Sequence, residues 1–143
     1  MIRESIILNS TTRFLIVLLI MFSFYLLLRG HNLPGGGFVG GLVGGASFAL
    51  YGIAFGVRAA RQAVFLSPPK LIGWGLIAAL LSGVPALLTQ KPFLTGWWYH
   101  DLTLPIIKKL NTPLVFDIGV YTIVAGVTLN IIFALAEAEE TKD

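Results

Sequence analysis

Cysteine is absent from all 143 residues. That excludes a disulfide, a thiolate nucleophile and any cysteine-based metal site. The two histidines, His31 and His100, stand far apart and form no metal-binding spacing. Charge is scarce as well: 12% of the residues are Asp, Glu, Lys or Arg, against about 25% in an ordinary soluble domain. Four stretches of 15 or more residues contain none of the four. A helix that crosses a bilayer needs roughly 20 mostly apolar residues. Four such runs account for most of the chain and leave little material for a soluble domain. No metalloprotease, phosphate-loop or hydrolase motif is present. The serines and threonines have no histidine and carboxylate placed to activate them. Neither an enzyme site nor a cofactor is expected. The net charge of +3 does not point to nucleic acid, because the basic residues flank the apolar runs, where Lys and Arg set membrane orientation.

What is present is apolar sequence in helical lengths, and the expected fold is an all-α membrane protein of four transmembrane helices in a single domain over residues 1–143. The first span covers about residues 12–28, bracketed by Arg13 and Arg29, which can snorkel to the headgroups. It has a basic start, but no small-residue cleavage site follows, so it reads as a retained helix. The second span, about 35–57, holds nine glycines. In lipid, glycine lets helix backbones approach closely. Gly36, Gly40 and Gly44 form one row at intervals of four; Gly37, Gly41 and Gly45 form another. Two adjacent rows make a broad flat face suited to one or two neighbouring helices, and the extent of that face suggests more surface than the chain alone would use.

The third span, about 71–89, opens after Ser67, Pro68, Pro69 and Lys70 and is kinked by Pro85. The fourth covers about 114–136, and an acidic tail of Glu137, Glu139, Glu140 and Asp143 ends the chain. Between them lie Trp97, Trp98 and Tyr99, residue types of the membrane–water interface. Ile106, Ile107 and Leu110 share a helical face beside Lys108 and Lys109, which predicts a short interfacial helix in the third loop. Orientation follows from the basic residues. Arg3, Arg13, Arg58, Arg61, Lys70 and Lys142 make six on one side; Arg29, Lys91, Lys108 and Lys109 make four on the other. Both termini are therefore expected in the cytoplasm of a multi-pass cell-membrane protein.

Ionisable groups inside spans are functional candidates because burying them is expensive. Asp117 is the only carboxylate within a span. It either stabilises the positive amino end of the fourth helix or takes part in an ion or proton path. Thr122, Gly126 and Asn130 follow at intervals of four, a small and polar stripe that could line an interface or a hydrated path. Asn130 deep in lipid needs a hydrogen-bond partner. A proton pump or antiporter uses several buried ionisable groups in series. One Asp near a helix end does not supply that series, so the chain reads as a subunit whose chemistry lies elsewhere.

Two motifs carry more information. The first loop and second helix read Gly30, His31, Asn32, Leu33, Pro34, Gly35, Gly36, Gly37, Phe38, Val39, Gly40, Gly41, Leu42. The fourth helix opens Thr112, Pro113, Leu114, Val115, Phe116, Asp117, Ile118, Gly119, Val120. Together, at this separation and in a four-helix layout, they resemble the MnhB-like family, one of the subunit families of Mrp-type multisubunit sodium/proton antiporters, over nearly the whole chain. The resemblance implies a subunit of a large hetero-oligomeric membrane complex whose partners are the other Mrp subunits. The larger of these are related to the antiporter-like subunits of respiratory complex I and carry the buried Lys and Glu residues of proton translocation. It implies sodium efflux coupled to proton entry, with sodium and protons as the ions carried by the complex. Related subunits occur in membrane-bound hydrogenase complexes, so that setting stays open, as does a self-contained small channel or scaffold. Residues 34–37 can hold a non-helical turn, which survives at membrane depth only when buried in protein or lining a cavity. His31 beside them can titrate near neutral pH. The candidates for an ion path or an interface are thus Asp117, His31, Asn130, Pro34, Gly35, Gly36, Gly37 and Phe38, with Gly40, Gly41, Gly44 and Gly45 as helix-packing positions.

Overall fold

The computed structural model describes residues 6–29, 36–88, 90 and 112–142, and all regular structure among them is helical. The elements are α1 (Ile6–Arg29), α2 (Gly36–Phe55), α3 (Val57–Ala63), α4 (Pro68–Leu81), α5 (Val84–Leu88) and α6 (Thr112–Glu140). Four runs are long and apolar enough to cross a membrane: Ile6–Arg29, Gly36–Phe55, Val57–Leu81 and Pro113–Glu140. The short helix expected around residues 106–110, and Trp97, Trp98 and Tyr99, lie outside the described residues.

The third run departs from the expected 71–89. It begins at Val57, so Arg58, Arg61 and Lys70 belong to it rather than to an open loop. The reason is Gly56. Its φ of 99° lies where a side chain would be strained, and glycine alone adopts it at little cost. The chain therefore reverses at a single residue, and α3 folds back beside α2, with Ala60 3.6 Å from the Cβ position of Gly52. A bend at 64–67 separates α3 from α4, which starts with two prolines where their missing N–H groups cost nothing. The helix stops again at Leu81, because Pro85 has no backbone N–H to return to residue 81.

Packing produces an open row rather than a closed bundle. The extensive interfaces are α1 with α2, α2 with α6, and α6 with α4; α1 and α4 form the two edges. The glycine pairs give the directions. Gly37 meets Asp117 and Gly45 meets Thr128, so α2 and α6 run parallel. Gly75 meets Gly119 and Gly126 meets Pro68, so α4 runs against α6. At one end of the row Arg13 lies over the Phe55 ring, and Arg61 pairs with Glu137 at 2.6 Å while its guanidinium lies over Phe133. These contacts bring the early part of α1, the Gly56 turn and the carboxy end of α6 to the same end. A small apolar cluster of Ala60, Leu129 and Phe133 closes that end.

Candidate functional site

The two glycine rows of α2 meet two different helices of this chain. Gly37, Gly41 and Gly45 lie on α6. A Cβ at Gly37 would collide with the backbone carbonyl of Asp117, one at Gly41 would stand 2.7 Å from the carbonyl of Tyr121, and one at Gly45 would stand 2.7 Å from Thr128. Gly40 and Gly44 turn toward α1, where a Cβ at Gly40 would sit 2.9 Å from the Ser23 carbonyl. Contacts under 3.0 Å are not made by real side chains without movement, and here several of the neighbouring atoms are backbone. The rows are therefore filled within the chain. The surplus small-residue surface that the spacing suggests for a partner is not what the packing shows.

Close approach brings together two hydroxyls from distant parts of the sequence. Ser23 on α1 donates to the carbonyl of Gly40 on α2 at 2.7 Å, and its oxygen lies 2.6 Å from the Tyr121 hydroxyl on α6. A serine has one proton to give. With that proton on Gly40, the Tyr121 O–H must donate to Ser23, which fixes the order Tyr121, Ser23, Gly40 carbonyl. A carbonyl cannot take the proton onward, so the chain of bonds ends there and ties three helices together. Gly44 makes the room for it, since a Cβ there would stand 2.9 Å from the Tyr121 oxygen. Phe24 stacks on Tyr121 with ring centroids 6.0 Å apart.

Ser23 is fully buried, and in an apolar setting an interhelical hydrogen bond is worth about 1 kcal/mol. Ser23→Ala should lower thermal stability by roughly that amount and leave the Tyr121 hydroxyl unsatisfied. The double variant Ser23→Ala/Tyr121→Phe should be no less stable than Ser23→Ala alone, because the orphaned hydroxyl is gone. Thermal unfolding of the unaltered protein and the two variants in detergent checks this; a double variant less stable than Ser23→Ala would contradict it.

Asp117 sits one turn before Tyr121 on α6, half-buried, with its backbone carbonyl against Gly37. No acidic residue occupies the first turn of α6, and the end effect of a helix falls off within that turn. Asp117 thus stands just beyond that turn. The other candidates separate. Gly36 and Gly37 already belong to the helix, so they form no irregular turn, and Phe38 points outward from α2. His31, Pro34 and Gly35 lie outside the described residues. Thr122 bonds the carbonyl of Ile118, Gly126 packs on α4, and Asn130 is exposed. The stripe of 122, 126 and 130 is thus divided between the groove side of α6, the α4 interface and the exposed surface.

Ser23 and Tyr121 are not singled out by the sequence. Ser23 is one of two polar interruptions in residues 14–28, and Tyr121 lies four residues after Asp117. Each is visible as an isolated signal, but their pairing is not a local feature.

An open row of apolar helices, joined backbone to backbone by glycine and by one buried hydroxyl chain, defines a multi-pass membrane subunit. Its residues 7–130 match the family described as a domain related to the MnhB subunit of Na+/H+ antiporter. A Na(+)/H(+) antiporter subunit of the MnhB type from Bacillus subtilis is 40% identical over 138 residues, which cover 95% of this chain and 96% of that protein. Its namesake in Alkalihalophilus pseudofirmus is 36% identical over 135 residues, 94% of each chain. A chain in the structure of the Mrp complex from Dietzia sp. superposes with a TM-score of 0.77 at 34% identity. That match covers 92% of this chain and 14% of the larger one. The chain belongs to the MnhB family of Mrp-type antiporter subunits.

Proposed function

We propose that this chain is a non-autonomous subunit of a sodium/proton antiporter, assembling with the other Mrp subunits in the bilayer, supporting sodium efflux coupled to proton entry, and contributing Asp117 to the ion path. The observation that carries the reading is the position of Asp117. It is the only carboxylate in the apolar stretch 114–136, it lies beyond the first turn of α6, and it sits where α6 meets α2 at Gly37. The relatives named above are antiporter subunits, which favours the antiporter over the hydrogenase setting. Phe38 and the large apolar residues exposed on both edge helices, such as Phe14, Met21, Trp74 and Leu80, supply surface for neighbouring subunits and lipid.

Asp117→Asn keeps shape and hydrogen bonding but removes the charge. Antiport should be lost while the complex assembles normally, measured as sodium-dependent dissipation of a pH gradient in vesicles alongside the yield of purified complex. Normal antiport would return Asp117 to a structural role. Both termini face the cytoplasm in this reading, on the side of Arg13, Arg58 and Arg61. A reporter fused after Asp143 should be active in its cytoplasmic form, and a periplasmic signal would reverse the orientation.

A further inference from the structure

The Phe24–Tyr121 stack is the floor of a groove of about 310 Å³ that opens on one side of the row. Its walls include Phe48, Val64, Leu66, Leu71, Ala125 and Leu129. The two hydroxyls on the wall are already engaged: Tyr121 bonds Ser23, and Thr122 bonds the carbonyl of Ile118. Both hydroxyl protons are thus spent within the chain, and the rest of the lining is mostly apolar. An apolar chain would lose nothing by entering.

One rim of the groove is the bend at 64–66, and cations stand on both sides of that bend in the sequence. Arg58 precedes it on α3 and Lys70 follows it in the first turn of α4, directly before the wall residue Leu71. Both are exposed. Arg61 is matched by Glu137, but among the described residues neither Arg58 nor Lys70 has an ion pair. Lys70 also stands near the positive end of α4, where a cation is disfavoured, so a negative group there would relieve two local costs at once.

We propose that this groove is a binding site for an anionic phospholipid, with one acyl chain lying against the Phe24–Tyr121 floor and the phosphate held by Lys70 and Arg58. A single molecule then supplies both the apolar chain that the walls call for and the negative charge that the rim calls for. The inference needs only that the chain is embedded in a bilayer, and its test reads a lipid adduct rather than ion transport, so it stands or falls apart from the antiport reading.

Phe65 is fully exposed on the groove lining and can be replaced by the photoreactive p-benzoylphenylalanine. The assembled complex carrying it is reconstituted in vesicles of equal parts phosphatidylglycerol and phosphatidylcholine, irradiated, and this subunit is analysed by mass spectrometry. Phosphatidylglycerol adducts should predominate, by roughly fivefold for each basic residue that engages the phosphate. Lys70→Gln with Arg58→Gln should bring the two lipids to parity. Ala125→Phe should fill the groove and remove both adducts; Thr122→Leu serves the same purpose if that variant does not assemble. A cross-link to another subunit would overturn the proposal and make the groove a seat for a partner helix. Equal labelling by both lipids, insensitive to the charge variants, or no lipid adduct at all, would also overturn it.

Discussion

Gly41→Leu should leave almost no correctly assembled subunit in the membrane. A Cβ at this position would stand 2.7 Å from the backbone carbonyl of Tyr121 and 2.9 Å from the Cβ of Val124. Neither neighbour can turn away as a flexible side-chain tip would, so α2 and α6 must separate. Separation also breaks the Tyr121–Ser23 bond, since Ser23 is held on α2 through the Gly40 carbonyl. Even Gly41→Ala carries an overpacking cost of about 1–3 kcal/mol. Lipid offers no hydrophobic drive to bring the helices back together, because tails are as apolar as the helix faces. The contrast is Gly73, where a Cβ would meet nothing within 4 Å. Gly73→Ala should be neutral or gain up to about 1 kcal/mol from helix propensity. Leu42→Ala, at an exposed site on α2, should lie near Gly73→Ala. Membrane abundance of the subunit and its recovery with the purified complex check all three. Normal assembly of Gly41→Leu would remove the packing account.

Deleting this subunit from an otherwise complete set should abolish sodium-dependent antiport or reduce it strongly. The row is open, with α1 and α4 as edges and large apolar side chains exposed along both. Neighbours packed on such edges would lose a continuous wall, and any hydrated path they share would open to lipid. Asp117 would be lost with it. The measurement is antiport in membranes of cells lacking other sodium/proton antiporters, with and without the subunit. Full activity after deletion would demote the chain to an accessory role.

Much of this architecture is legible in the sequence because membrane constraints are strict. Every backbone group must be satisfied inside the segment, so the charge-free runs have to be helices, and α1, α2 and α6 each carry one of them, with α1 starting at Ile6, ahead of the expected 12. The glycine periodicity likewise marks the contact faces. What it does not mark is the neighbour: an interval of four defines a face, and nothing in the spacing says whether that face meets this chain or another. The start of the third run is hidden for a different reason. Gly56 is one glycine among nine in its segment, and only its backbone angle distinguishes it. The basic residues after it look like a loop, although they belong to a helix that doubles back. The Ser23–Tyr121 bond joins residues 98 apart, beyond any periodicity. Asp117 stands out because a carboxylate in an apolar run is rare, and the structure adds its place just past the first turn of α6.

In the function proposed above, the subunit takes part in antiport without performing it. Its apolar stretch 114–136 holds one carboxylate, and among the described residues the Tyr121–Ser23 hydroxyl chain ends at a carbonyl that cannot pass a proton on. The most direct measurement places the purified chain alone in sodium-free vesicles bearing a pH gradient and then adds sodium, with the complete complex reconstituted in parallel. The chain alone should leave the gradient unchanged while the complex dissipates it. Sodium-dependent dissipation by the isolated chain, lost in Asp117→Asn, would contradict the account and make this small protein an antiporter in its own right.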